Sequence, residues 1–358
     1  MWKNTVLLTR NNFFYMNKSA SFFIIIGLVY SLLFFSACNG TKSSEEPIEK
    51  PALAVPLKDS IVKIPTGIDT TDYNKRILAL SNNDTTGRWP VKTPYPLVGA
   101  ILPYNRIIAF YGNLYSKRMG ILGGIPKEEM LQKLKEEVAK WQKADSTTTA
   151  IPALHYIAVT AQGAPGKAGK HRMRMPFKQI DTVLAWAKPM KALVFLDIQV
   201  GHSTVKDEVS ALSDRLILPN VHLGIDPEFS MKDGSIPGKK IGTFDASDIN
   251  DAIDILSKIV RDNKLPPKVL VIHRFTRGMV TNYKNIKTVP EVQIVMDMDG
   301  FGSKILKKST YKDYIYKEPV QFTGFKLFYV NDNWGGSTMF TPEEVLQSTP
   351  KPIYIQYQ

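Results

Sequence analysis

Two stretches separated by a helical segment decide the fold: Leu193-Val-Phe-Leu-Asp-Ile-Gln199 and Val221-His-Leu-Gly-Ile-Asp-Pro-Glu228. Each is a short apolar run that ends in acidic or polar residues, a pattern typical of strands that are buried on both faces. Residues 205–216 between them predict a helix. A strand, a helix and a second strand in this order form the unit from which parallel sheets are built.

The same alternation continues from Leu97 to the end of the chain, about 260 residues, which is the usual size of one (β/α)₈ barrel. The predicted strands are Arg106–Phe110, His155–Thr160, Leu193–Asp197, Val221–Asp226, a weak fifth at Ile241–Phe244, Val269–His273, Val292–Asp297 and Phe325–Val330. The predicted helices are Pro126–Lys143, Pro176–Lys188, Val205–Leu216, Ser247–Arg261 and Gly302–Tyr314. Residues 229–241 carry Gly and Pro without a helical period. We therefore expect an α/β fold, a single TIM-barrel-like domain that is irregular between strands 4 and 5 and lacks one helix; a doubly wound open sheet is the alternative.

The amino-terminal part has the pattern of a lipoprotein signal peptide. An uncharged apolar run from Ser21 to Ala37 follows Lys18 and ends directly before Cys38. Small residues before a cysteine resemble the bacterial lipobox, which implies lipidation of Cys38. We expect residues 1–37 to be removed and the protein to be exported and lipid-anchored to a bacterial membrane, on the periplasmic face or the cell surface. An uncleaved transmembrane helix is the alternative, and Met16 is an alternative start.

The amino-acid composition excludes some kinds of site and indicates the charge of possible partners. Cys38 is the only cysteine, so neither a disulfide within the chain nor a thiolate metal site is expected. The chain carries a net charge of +13, and loss of the three basic residues before Cys38 leaves +10, which suits an anionic surface or envelope polymer. The sequence contains neither a zinc-finger spacing nor an RNP motif, so nucleic-acid binding is not expected. Residues 38–96 are predicted to be a flexible linker with an irregular lead-in, and residues 97–358 the barrel domain.

In a barrel of this type the site lies at the carboxyl ends of the strands. Asp226 and Glu228 are spaced i and i+2 on either side of Pro227, so a strand would turn both carboxylates to one face. A close pair has separated pKa values, one acid and one base or nucleophile, as glycoside hydrolysis requires. The alternative is structural: Asp226 accepts loop N–H groups and Glu228 pairs with Lys232.

Further polar residues are expected at the same mouth. Asp197 and Asp297 end two other strands, and His273 is a candidate hydrogen-bond donor or acid/base, although a strand-end histidine is more often structural. Together the carboxylates could hold Mg²⁺ or Ca²⁺ through oxygen ligands. Asp299, before Gly300, is predicted to be a turn residue, and His155 to be structural. The predicted substrate-binding residues are Tyr111, Asn113, Gln199 and Lys326.

Four motifs carry a resemblance to a family of secreted bacterial lipoproteins: Ala109-Phe-Tyr-Gly-Asn-Leu-Tyr-Ser-Lys-Arg-Met-Gly120, Phe195-Leu-Asp-Ile-Gln-Val-Gly201, Gly224-Ile-Asp-Pro-Glu228 and Asp299-Gly-Phe-Gly302. The likeness covers nearly all of residues 100–358 and implies a barrel-like domain, but no reaction. Locally, the D-x-E at 226–228 also resembles that of barrel lysozymes that cleave peptidoglycan, which implies Glu228 as acid and Asp226 as its partner. We therefore expect a cell-envelope lipoprotein that is a glycan-directed hydrolase; a metal-assisted phosphodiesterase and a non-catalytic glycan-binding protein are the alternatives.

Overall fold

The computed structural model describes residues 67–358, so the predicted signal peptide, Cys38 and most of the linker lie outside the described residues. Eight parallel strands form the central sheet: β1 Asn105–Gly112, β2 Thr149–Ala161, β3 Leu193–Ile198, β4 Val221–Ile225, β5 Lys268–Arg274, β6 Val292–Met298, β7 Phe322–Leu327 and β8 Tyr354–Tyr357. The sheet closes because β1 pairs with both β8 and β2. The predicted barrel is confirmed.

Seven predicted strands are confirmed, but the fifth is wrong. Residues 241–243 form no strand, and Phe244–Asp245 pairs with Val280–Thr281 in a small separate sheet. The strand that completes the barrel is instead β8 at the carboxyl terminus, which pairs with β1 and β7. It has only four residues and follows Pro350 and Pro352, so no long apolar run marks it in the sequence.

The helices lie between the strands in the expected order. They are α1 Thr70–Leu80, α2 Lys127–Ala144, α3 Phe177–Ala187, α4 Val205–Ser210, α5 Ala246–Asn263 and α6 Lys304–Thr310, with single turns at Ile121–Gly124, Ser213–Leu216 and Pro342–Val345 and a π-helical turn at Tyr311–Tyr316. The segment after β4 is irregular, as predicted: residues 230–243 contain neither helix nor strand. The connection that lacks an α-helix is the one between β5 and β6, which holds only short 3₁₀ turns.

The helices bury their apolar faces against the outside of the barrel. Ile253 and Leu256 of α5 and Trp141 of α2 are fully buried there, and each such side chain contributes about 1.5–3 kcal/mol to folding. The indole N–H of Trp141 also donates a hydrogen bond of 2.9 Å to the Tyr357 hydroxyl. This contact ties α2 to the short strand that closes the barrel.

The lead-in before the barrel contains a helix that the sequence did not predict. Asp69 caps α1 by accepting from two backbone N–H groups, and Tyr73 is buried. Ile77 and Leu80 pack on the apolar cluster at the lower end of the barrel interior. Residues 70–80 therefore contribute to the core. Between residues 67 and 358, no helix combines the length and apolar character needed to cross a membrane.

The barrel interior is divided along its axis. Its lower half is apolar, with Ile107, Phe195 and Val271 among the residues of one buried cluster. Farther along the same strands, toward their carboxyl ends, the inward side chains become polar: Tyr111, His155, Asp197, His273, Asp297, Lys326 and Gln356 are all buried. A buried polar layer costs free energy unless its groups form hydrogen bonds or ion pairs with one another.

Candidate active site at the barrel mouth

Asp197 lies at the centre of the polar layer. One carboxylate oxygen, Oδ1, is 3.2 Å from His155 Nε2 and 3.2 Å from His273 Nε2. The other, Oδ2, accepts a hydrogen bond of 3.0 Å from the Tyr111 hydroxyl. Burial alone would raise the pKa of Asp197, but the charge of His273 and the hydrogen bonds from both histidines hold it well below its ordinary range. Asp197 is therefore an ionised carboxylate inside the barrel.

Both histidines also have a polar neighbour at their second ring nitrogen. His155 Nδ1 is hydrogen-bonded to the Tyr354 hydroxyl at 2.6 Å. His273 Nδ1 is 3.2 Å from Asp299 Oδ2, an ion-pair contact without hydrogen-bond geometry. Burial lowers the pKa of His155 to about 4, so this imidazole is neutral at neutral pH. Burial also acts to lower the pKa of His273, but the negative charge of Asp197 and the contacts with Asp197, Asp297 and Asp299 together outweigh it and raise that pKa well above its ordinary value. His273 is the imidazolium of the pair.

Two glycines make room for this layer. Gly224 on β4 is the register partner of Asp197, and Gly324 on β7 is the partner of Asp297. A Cβ at Gly224 would lie 2.3 Å from both Asp197 Oδ1 and His155 Nε2, and one at Gly324 would lie 2.4 Å from Asp297 Oδ1. Any side chain at either position would therefore collide with the buried polar groups.

Asp297 is fully buried below the mouth. Neither of its carboxyl oxygens has a hydrogen-bond partner among the described residues, and the nearest charged group is His273, with Nδ1 3.5 Å from Oδ2. Burial raises the pKa of Asp297, and the imidazolium opposes the shift only in part. Because an unpartnered carboxylate in such a site is costly, the protonated acid is the favoured form.

Asp226 directly follows β4, which ends at Ile225. Pro227–Phe229 form a 3₁₀ turn, and the Asp226 side chain caps it by accepting a 3.0 Å hydrogen bond from the Glu228 N–H. The expectation that one strand turns both carboxylates to the same face is thus wrong, since Glu228 lies in a turn; the expected loop-holding contact of Asp226 is present. Burial raises the pKa of Asp226 to about 7, with the charge of Asp197 contributing.

Glu228 is only partly buried, as is Asp299. Its carboxylate makes no hydrogen bond or ion pair with any residue in the described range, and Lys232, the expected partner, pairs with Asp248 instead. Burial raises the pKa of Glu228 to about 8, and the negative charges of Asp226 and Asp299 add to the shift. Glu228 therefore carries a proton at neutral pH and lies where solvent reaches it.

Asp299 is the ionised carboxylate nearest the mouth. Lys326 Nζ lies 2.9 Å from Asp299 Oδ1 and also 3.9 Å from the centre of the Tyr111 ring. Burial would raise the pKa of Asp299, but the charges of Lys326 and His273 lower it below its ordinary value. The sequence predicts a turn residue at Asp299 because Gly300 follows it, although Asp297 and Asp299 also have the i, i+2 spacing of an acidic pair. In the structure Asp299 belongs to the charged cluster.

The four predicted substrate-binding residues separate into two groups. Tyr111 and Lys326 belong to the polar layer described above. The Asn113 amide donates to the Ile157 carbonyl at 2.9 Å and accepts from the Tyr115 N–H at 2.8 Å. Gln199 accepts a 3.0 Å hydrogen bond from the backbone of the β2 end. Asn113 and Gln199 thus hold loops around the mouth rather than joining the charged cluster.

Sequence reasoning also missed His155 and Tyr354. His155 was predicted to be structural because it begins a predicted strand, but β2 starts six residues earlier, which places His155 in the upper half of the barrel. Tyr354 lies on β8, the unpredicted strand. The register that brings both side chains to Asp197 depends on closure of the barrel, which no local pattern encodes.

Exposed aromatic side chains surround the mouth. Tyr115, Phe301 and Trp334 lie in the connections after β1, β6 and β7 and are 60%, 52% and 62% exposed. Aromatic rings at such positions are suited to stacking on the apolar faces of sugar rings.

No family model and no curated protein sequence matches the chain. Solved structures that are similar include Bacillus subtilis mannanase BCman, with 12% identity, a TM-score of 0.38, and coverage of 82% of this chain and 86% of that one. A hyperthermophilic endo-β-1,4-glucanase in complex with substrate has 10% identity, a TM-score of 0.37, and coverage of 71% and 89%. An oxaloacetate acetylhydrolase in complex with oxalate has 11% identity, a TM-score of 0.34, and coverage of 62% and 72%. Likeness at this level does not identify which residues of this chain act or on what.

Proposed function

We propose that this protein is an exported, lipid-anchored hydrolase of the cell envelope that cleaves a glycan at the barrel mouth, with Glu228 as general acid and Asp299 as the ionised carboxylate. The observation that carries the proposal is the difference between these two groups. The carboxyl group of Glu228 is partly buried and makes no hydrogen bond or ion pair with the described residues, whereas that of Asp299 is fixed by Lys326 at 2.9 Å.

Glycoside hydrolysis uses one protonated carboxyl group and one ionised carboxylate on either side of the scissile bond. A pKa of about 8 keeps the Glu228 proton available to the leaving oxygen at neutral pH. Asp299 supplies the negative charge, either as base toward water or as nucleophile toward the anomeric carbon. Lys326 keeps Asp299 ionised, and Asp226 holds the turn that carries Glu228 by capping its N–H.

Substrate class is inferred from the surroundings of the carboxylates. Tyr115, Phe301 and Trp334 offer exposed rings on the same rim, and sugars bind through such stacking combined with polar contacts. The net charge of the chain after Cys38, +10, favours a glycan that carries negative charge, such as an anionic envelope polymer. The lipobox-like Ser36-Ala37-Cys38 supports this part of the proposal, because a lipid-anchored protein would lie beside such polymers.

The proposal is tested by measuring the reducing ends that the protein releases from purified peptidoglycan and from neutral and anionic polysaccharides. We expect Glu228→Gln and Asp299→Asn each to lower kcat by a factor of about 100 or more, since each removes one of the two required groups. Glu129→Gln, an exposed position on α2, is the matched control and should be fully active.

Hydrolysis that persists in both site variants would refute the assignment of the two roles. If the wild type binds a polysaccharide, hydrolyses none, and loses binding on substitution of Trp334, the protein is a glycan-binding module instead.

A further inference from the structure

We propose that His155, Asp197 and His273 form a binding site for one transition-metal dication of the Zn²⁺ class, below the mouth of the barrel. The three side chains come from β2, β3 and β5 and are fully buried, and one ligand atom from each, His155 Nε2, Asp197 Oδ1 and His273 Nε2, lies within 4.8 Å of the other two. This site is separate from Glu228 and goes beyond the proposed hydrolase function.

The distances, which are long for hydrogen bonds to a charged group, also fit shared coordination of one ion. Both Nε2 atoms lie 3.2 Å from the same oxygen, Asp197 Oδ1. A charge-assisted N–H···O bond is about 2.7–2.9 Å long. Ligands at about 2.0–2.1 Å from a tetrahedral zinc ion are about 3.3 Å apart along each edge of the tetrahedron. The observed separations match that edge.

Oxygen atoms lie next to the second nitrogen of both rings, where a metal-bound histidine has its supporting contact. Metal-bound histidines generally direct their other nitrogen to a carboxylate, a carbonyl or a similar oxygen, which fixes the proton there and leaves the ligating nitrogen free. His155 Nδ1 meets the Tyr354 hydroxyl at 2.6 Å, and His273 Nδ1 meets Asp299 Oδ2 at 3.2 Å. The Tyr354 oxygen is itself held by the Gln356 amide at 2.8 Å. His155 thus has a hydrogen-bonded supporting group, whereas the contact of His273 Nδ1 with Asp299 is an ion pair without hydrogen-bond geometry.

Gly224 and Asp297 are two further residues next to the three ligands. Gly224 leaves the space that Asp197 Oδ1 and His155 Nε2 occupy, since a Cβ there would lie 2.3 Å from each. Asp297, fully buried and without a hydrogen-bond partner in the described chain, lies on the far side of His273. Its protonated form is favoured without a metal, and a dication bound nearby would favour the ionised form.

The ligand types determine the class of ion. Two imidazoles and one carboxylate suit Zn²⁺, Co²⁺, Fe²⁺ or Mn²⁺, whereas Mg²⁺ and Ca²⁺ prefer oxygen ligands alone. The set expected from the sequence, which consisted of carboxylates only, predicted Mg²⁺ or Ca²⁺. Because two of the three ligands in the structure are histidines, we infer a Zn²⁺-class ion instead.

Metal analysis and visible absorption test the site. The tag-free protein is first treated with a chelator and then dialysed to equilibrium against Zn²⁺ or Co²⁺. We expect one ion per chain and the Co²⁺ bands typical of a low-coordinate nitrogen and oxygen site. His155→Gln and His273→Gln should abolish uptake, with circular dichroism checking their fold. Tyr354→Phe, which keeps all three ligands, should weaken binding by about 10–100-fold.

Two controls separate this site from other sites and from the hydrolase proposal. His202→Gln alters a loop histidine that contacts the Ser235 carbonyl, and should bind metal as the wild type does. Glu228→Gln should abolish hydrolysis and leave metal uptake unchanged. No uptake by the wild type, unchanged uptake in His155→Gln and Tyr354→Phe, or tighter binding of Mg²⁺ than of Zn²⁺ would each overturn the proposal.

Discussion

Replacing Glu228 with glutamine is expected to stabilise the fold at alkaline pH and to have no effect in acid. Glutamine has nearly the shape of the protonated glutamic acid but cannot ionise. Burial and the charges of Asp226 and Asp299 raise the pKa of Glu228 from its ordinary 4.5 to about 8 in the folded protein. The folded state therefore prefers the protonated form of Glu228 far more than the unfolded chain does.

The sign and the pH window follow from linkage. Because the folded pKa is the higher one, the stability associated with Glu228 is fully present below about pH 4.5 and is lost as the pH rises to about 8. At about 1.4 kcal/mol for each pKa unit, a shift of this size has an upper limit of about 5 kcal/mol. Partial exposure to water reduces that figure, and we expect about 1–2 kcal/mol at pH 9. In a domain of this size the gain corresponds to a rise in Tm of roughly 2–8 °C.

Thermal unfolding of the wild type and Glu228→Gln at pH 4.5, 7 and 9 measures the effect. The two melting temperatures should agree at pH 4.5 and separate progressively above it. Glu129→Gln on the exposed face of α2 controls for the loss of one negative charge, and its difference from the wild type should stay small at every pH. A variant that melts below the wild type at pH 9 would refute the reasoning, because it would mean that the ionised carboxylate makes a stabilising contact.

Three further predictions concern other parts of the chain. Gly224→Ala should destabilise the fold by about 1–3 kcal/mol or more, measured by urea unfolding, because the added Cβ would lie 2.3 Å from Asp197 Oδ1; unchanged stability would show that the polar layer can shift. Cys38→Ser should abolish fatty-acid labelling in the bacterial host, and continued labelling would disprove the lipobox assignment. Starting the chain at Gly67 should leave the Tm of the domain unchanged, whereas starting it at Ser81 should lower the Tm, since α1 with its buried Tyr73 is then lost; equal melting temperatures would show that α1 does not support the barrel.

The parts of the fold that could be predicted from the sequence are those with a local signal. Buried parallel strands such as β3 and β6 are continuous apolar runs, and α5 has both a strong helical period and a capping box formed by Asp245 and Asp248. The closing strand β8 has no such signal. Its alternation is visible only in the fold, where Tyr354 faces the interior and Tyr357 faces the helices.

The candidate site was predictable as a set of positions but not as a set of contacts. Strand ends identified Asp197, Asp226 and His273, because parallel strands bring their carboxyl ends to one mouth. The pairings depend on register between strands that are distant in the sequence, and this register decides that Lys326 meets Asp299. Glu228 illustrates the same limit, since a 3₁₀ turn rather than strand alternation determines where its carboxylate lies.

Charge balance explains why the acids at the mouth have such different pKa values. The site holds five carboxyl groups, on Asp197, Asp226, Glu228, Asp297 and Asp299, but only two cations, His273 and Lys326. A buried site tolerates little net charge, so two carboxylates ionise against the two cations: Asp197 beside His273 and Asp299 beside Lys326, both with lowered pKa values. The other three have raised pKa values and keep their protons to higher pH. Asp226 and Asp297 are buried, whereas Glu228, like Asp299, is only partly buried. The excess of acids over cations thus keeps a proton on Glu228, while its partly buried neighbour Asp299 stays ionised.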